Sequence, residues 1–128
     1  MFLLLGLARA SDPPIPEGCA AEALPGGLQT VVCAGVAVTW ARGSEHGVQG
    51  ATVLADPGLA YPAGLTGREP VAIPGATGAA TAVLTLPGVD VRRIVDGHGA
   101  DWMVTCSTQE RTGALARCLE VIARSATR

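Results

Sequence analysis

The feature that most limits the fold is a change of hydrophobic period within residues 79–128. Over 100–106, Trp102, Val104 and Cys106 alternate with Asp101, Met103 and Thr105, the period of a strand with one buried face. Two further strand-like runs, 79–86 and 90–95, precede it, with Pro87-Gly88 and Asp96-Gly97-His98-Gly99 as the joining turns. The period then becomes helical: Leu115, Cys118, Leu119 and Ile122 stand at i, i+3, i+4 and i+7 and form one apolar stripe over a predicted helix at 112–125. A meander that runs straight into an amphipathic helix implies an α+β fold, mainly an antiparallel sheet of five to six strands with the C-terminal helix packed on one face.

The start of that helix decides what its cysteine can reach. Ser107-Thr108-Gln109-Glu110 fits a capping box, but a helix begun at Thr108 carries Arg111 inside the apolar stripe. Starting at Thr112, with Thr112 as the N-cap, removes the conflict and sets Glu120 and Arg124 as an i, i+4 pair.

Earlier in the chain the signals are coarser. Residues 19–24 read as one helical turn stopped by Pro25-Gly26-Gly27, and 29–41 as one long central strand, apolar or small on both faces. A polar glycine-interrupted loop follows over 42–50, then a short strand at 51–55, irregular backbone over 59–68 and a brief strand at 71–73.

Four cysteines in 128 residues are an even set with no C-x-x-C pair. That spacing disfavours a structural zinc site or a thioredoxin-like motif and favours two disulfides. With the helix starting at Thr112, Cys118 lies in its second turn, within reach of the strand end, so the expected pairs are Cys106 with Cys118 and Cys19 with Cys33.

Disulfides require an oxidising compartment, and the N-terminus points the same way. Residues 2–8 are almost wholly apolar, and Ala8-Arg9-Ala10 has the small-x-small form of a signal-peptidase site. The reading is a signal peptide over 1–10 without a basic start, a Pro-rich extended lead-in over 11–18, and one α+β domain over 19–128. The apolar run is too short to span a bilayer, no cysteine follows the cleavage site to carry a lipid, and the mature chain has no membrane span. A secreted or periplasmic location follows.

Candidate chemistry is sparse. His46 and His98, the two histidines, sit in glycine-flanked polar stretches beside Glu45 and Asp96. If those stretches met at one end of the sheet, the four side chains would make a metal site or an acid/base pair. Each histidine reads more simply as an exposed turn residue. Gly75-Ala76-Thr77-Gly78 has the look of a pyrophosphate-binding turn, but strand alternation rather than a helix follows it, so no nucleotide cofactor is implied. No serine lies in a G-x-S-x-G elbow, and Trp40, Trp102 and Tyr61 are too dispersed for a stacking platform. A net charge of -2, with nine arginines scattered along the chain, gives no overall attraction to nucleic acid.

The order of elements over the last third, a sheet meander and then a C-terminal helix, resembles that of small exported PsbP-type modules. No motif residue accompanies the likeness, and no site follows from it. The expectation is an exported, disulfide-stabilised, non-enzymatic domain that binds a protein or small-molecule partner or serves the cell envelope. The alternative is a small metal-dependent or acid/base enzyme using His46 and His98.

Overall fold

The computed structural model describes residues 18–56, 58, 65–85, 92–109 and 113–126. Its centre is an antiparallel sheet built from β1 (Ala20–Leu24), β2 (Leu28–Cys33), β3 (Val36–Arg42), β4 (Leu65–Pro70), β5 (Gly78–Leu84), β6 (Arg92–His98) and β7 (Trp102–Gln109). Among the described residues it is accompanied by helices α1 (Ser44–Ala55), between β3 and β4, and α2 (Ala114–Ser125), after β7. The spatial order is β1-β2-β3-β7-β6-β5-β4. Two meanders therefore meet at the β3–β7 seam, and α1 carries the chain from the middle of the sheet to its far edge.

The α+β class and the C-terminal helix agree with the sequence reading, but the sheet has seven strands rather than five to six. Two corrections near the N-terminus account for most of the difference. Residues 20–24 form a strand instead of a helical turn, because Pro25-Gly26-Gly27 folds them back as a hairpin partner of β2. This tertiary pairing overrides the helix propensity of three alanines. The long strand expected over 29–41 is itself a hairpin, folded at Ala34-Gly35 with Gly35 at φ 79° and Cys33 opposite Val36. A two-residue turn changes the parity, so Val31 and Cys33 share the buried face with Val36, Val38 and Trp40. In an unbroken strand they would lie on opposite faces.

The stretch read as a polar loop and a short strand, 42–55, is largely helix α1. Part of the region read as irregular forms β4, the brief strand at 71–73 is loop, and positions 59–64 lie outside the described residues. The last two strands also run further than expected. Asp96, Gly97 and His98 belong to β6, and the turn into β7 occupies Gly99, Ala100 and Asp101.

Each helix covers one face of the sheet. On one side, Val31, Val38, Trp40, Val95, Val104 and Cys106 pack with Cys118, Val121 and Ile122 of α2. The buried stripe of α2 is Ala114, Cys118, Val121, Ile122 and Ser125, with Leu115 and Leu119 half-buried at its flank. The helix starts at Ala114 after Gly113, and β7 runs to Gln109, so Thr108 belongs to the strand; the expected cap, Thr112, lies outside the described residues. Glu120 pairs with both Arg117 and Arg124 on the solvent side.

On the other side α1 packs over β5, β6 and β7 and touches β3. Its sheet-facing positions include Gly47 and Gly50, both buried. A methyl at Gly50 would lie 3.2 Å from both His98 Cγ and Met103 Cγ, so the helix backbone rests almost directly on the strands.

Cys19 is joined to Cys33 and Cys106 to Cys118, with Cα separations of 4.3 and 5.9 Å. These are the expected pairs. No helix among the described residues is long and apolar enough to cross a membrane.

Candidate functional site

The two histidine-bearing segments do meet. The N–H of Gly43, at the entry to α1, donates to the carbonyl of Asp101 at 2.7 Å, and Gly47 packs against Gly99 and Ala100 in the β6–β7 turn. The side chains, however, are divided between two environments. Glu45 and His46 lie in the first turn of α1, where His46 Nδ1 is 3.3 Å from Gln49 Oε1 and Nε2 is 3.9 Å from the carboxylate of Glu45. That carboxylate belongs to a side chain 75% exposed, so water screens the contact.

His98 and Asp96 are instead buried strand residues. His98 Nδ1 is 3.2 Å from the carbonyl oxygen of Gly99; a carbonyl oxygen can only accept, so Nδ1 is the donor. The ring lies under Gly50 and beside Gly78. Asp96 Oδ1 accepts from Thr105 Oγ1 at 3.0 Å across the β6–β7 pair. Among the described residues no three His, Cys, Asp or Glu side chains are grouped to hold a metal. The sequence raised the meeting of the segments only as a condition and read His98 and Asp96 as residues of an exposed turn, whereas they are internal to β6.

The tryptophans are organised from the opposite face. Trp40 Nε1–H donates to Ser125 Oγ at 2.8 Å, and that hydroxyl donates in turn to the carbonyl of Val121 at 2.7 Å. Trp102 lies with its ring 5.3 Å from that of Trp40 at 54°, and the guanidinium of Arg42 stands 4.7 Å from the Trp40 ring. This is a cation–π arrangement held by the β3–β7 pairing of Arg42 with Trp102. It was not legible in the sequence, because Arg42 is the last residue of a strand that was expected to end at Ala41.

Open grooves lie among the described residues. A groove of about 400 Å³ follows the loop from Val71 to Ala79 and includes Thr77 and Gly78 of the glycine-rich turn. That turn enters β5 rather than a helix, so it has no helix start at which to hold phosphate. A neighbouring groove of about 320 Å³ lies between Leu54 and the β4–β5 pair; there Arg68 donates to the carbonyl of Leu54.

The two sheet edges differ sharply. β4 carries an irregularity between Leu65 and Gly67, then Arg68, Glu69 and Pro70. β1 is Ala-Ala-Glu-Ala-Leu in unbroken register with β2, and two of the exposed large apolar side chains, Leu24 and Val32, lie on its open face. No family model, curated protein or solved structure matches the chain.

Proposed function

We propose that the chain is an exported, disulfide-stabilised binding module of the periplasm or extracellular space, with no catalytic role. The observation that supports this best is the placement of its four cysteines in two bridges, one fastening the edge hairpin and one fastening α2 to the central strand. Such bridges persist where the surroundings are oxidising. The polar side chains that would serve catalysis are absorbed by the fold: His98 and Asp96 bond within the β6–β7 layer, and Trp40 and Ser125 tie β3 to α2. In this reading residues 1–10 are a leader removed after Ala10, 11–18 an extended lead-in, and 19–128 one domain.

The test is expression with the native N-terminus, followed by cell fractionation and N-terminal sequencing. The expected product begins at Ser11, appears outside the cytosol and takes up no thiol reagent without prior reduction. Recovery of the intact N-terminus from the cytosol, with reactive thiols, would defeat the proposal.

A further inference from the structure

We infer that the outer edge of β1 is a docking site for a second copy of this chain, joined antiparallel about a two-fold axis through Ala21. The inference stands on sheet geometry alone and depends neither on export nor on any other ligand.

The first observation is which backbone groups face outward. Continuing the β1–β2 register by one step places Cys19 opposite Cys33, and their 4.3 Å Cα separation is that of a narrow, non-hydrogen-bonded antiparallel pair. Narrow and wide pairs alternate, so Ala20 and Glu22 bond to β2, while the N–H and C=O of Ala21 and Ala23 point away from the sheet. Among the described residues no strand lies beyond β1.

The second observation is the lack of edge protection. Sheets blunt their edges with bulges, prolines and charges, and β4 carries all three. β1 has one charge, Glu22, and neither bulge nor proline. Its open face continues onto exposed Val32 and Leu24, 53% and 37% accessible.

The third is that the edge is complementary to itself in one register. A two-fold axis normal to the sheet keeps the faces continuous, so a residue can meet only one of like parity. An axis through Glu22 sets two carboxylates directly opposite each other, which is repulsive. An axis through Ala23 brings Pro25, which has no N–H, opposite Ala21. An axis through Ala21 lets the two Ala21 residues exchange both backbone hydrogen bonds and sets each Glu22 opposite Ala20 of the other copy. Charge and donor supply therefore disfavour both of those axes, and an axis through Ala20 would set Ala23 opposite position 17, outside the strand. A five-residue edge buries less than the roughly 1,200 Å² of a standard interface, so the dimer is weak, with dissociation roughly in the micromolar range or above.

The experiment is sedimentation equilibrium on the protein as purified from an expressing cell, over a wide concentration range. The expected result is a concentration-dependent dimer that Ala21→Pro weakens by at least about tenfold while the thermal melt is kept, since proline is tolerated where the N–H faces outward. Ala21→Cys should trap the dimer under mild oxidation through residue 21 of both copies, because a hydrogen-bonded pair separates Cα atoms by about 5.5 Å, within disulfide reach. A monomer at every concentration, a folded Ala21→Pro protein that dimerises normally, or trapped dimers linked elsewhere would each overturn the inference. If Ala21→Pro does not fold, the Ala21→Cys crosslink decides.

Discussion

Replacing Gly47 by alanine should destabilise the protein, although the same change in an ordinary helix stabilises it. A methyl at this position would lie 2.6 Å from the carbonyl carbon of Ala100 and 2.8 Å from the carbonyl oxygen of Gly99. Comfortable carbon–carbon contact begins near about 3.5 Å, so α1 would have to retreat by about 1 Å, or the β6–β7 turn would have to give. A gap of that size forfeits about a quarter to a half of each van der Waals contact it opens, and overpacking of this kind costs about 1–3 kcal/mol. Against this stands the gain of about 0.5–1 kcal/mol from removing glycine from a helix interior. Because the atoms met are backbone, the cost lies at the upper end of that range; the clash outweighs the propensity and leaves a net loss of about 2 kcal/mol, or a fall in Tm of several degrees. Urea unfolding followed by the fluorescence of Trp40 and Trp102 measures it. Ala51→Gly, on the exposed side of the same helix, is the control and should cost about 1 kcal/mol by propensity alone. If Gly47→Ala stabilised the protein while Ala51→Gly destabilised it, propensity alone would govern α1 and the close docking of α1 on the β6–β7 turn would be refuted.

Three further outcomes are expected. Ser125→Ala should cost about 1–3 kcal/mol in chemical denaturation, because it strands the buried Nε1–H of Trp40, and Trp40→Phe added to it should cost less than the sum of the two single changes. Under mild reductant, mass spectrometry after alkylation should find Cys19–Cys33 opened first, since Cys19 is only partly buried while Cys106 and Cys118 are both fully inaccessible. Removing the second bridge by Cys106→Ala with Cys118→Ala should lower stability by about 3 kcal/mol, the loss read as a reduced urea midpoint.

The C-terminal third was legible because two periodicities were written cleanly there: alternation through Trp102, Val104 and Cys106, then the helical stripe around Cys118 and Ile122. Helix α1 was not, since its contact surface is made of Gly47 and Gly50, which give no apolar stripe, and Thr52 and Val53 mimic strand composition. The β2–β3 hairpin was hidden for a related reason. Ala34 and Gly35 are small enough to pass as one more pair in an apolar run, and only the parity of the buried residues reveals the turn. For the candidate site, the meeting of the two histidine segments could be guessed, but Gly97 was taken for a turn glycine. It is a strand glycine, and the space a side chain would take there is filled by Ile73, whose Cδ1 would lie 2.8 Å from an added methyl.

These particulars join in a division of labour between the two sides of the sheet. The chain has only four aromatic residues, so neither face can be filled by large rings alone. On the α2 side the available bulk is concentrated, with Trp40, Trp102 and the valines of β2, β3, β6 and β7, and α2 is bonded covalently through Cys106–Cys118. On the α1 side there is no crosslink among the described residues, and the space is closed by letting helix backbone approach the backbone of the β6–β7 turn at Gly47, and by side chains of His98, Met103 and Leu54 set against Gly50 and Gly78. The two strategies respond to different insults. Reduction acts on the α2 side and leaves the glycine contacts intact, while a single added methyl at Gly47 acts on α1 and leaves both bridges in place. Hydrogen exchange should therefore separate them: in the reduced protein the amides of α2 lose protection before those of α1, and in Gly47→Ala the order is reversed. Equal loss along both helices in either case would mean that the two faces unfold as one unit and that the division has no energetic meaning.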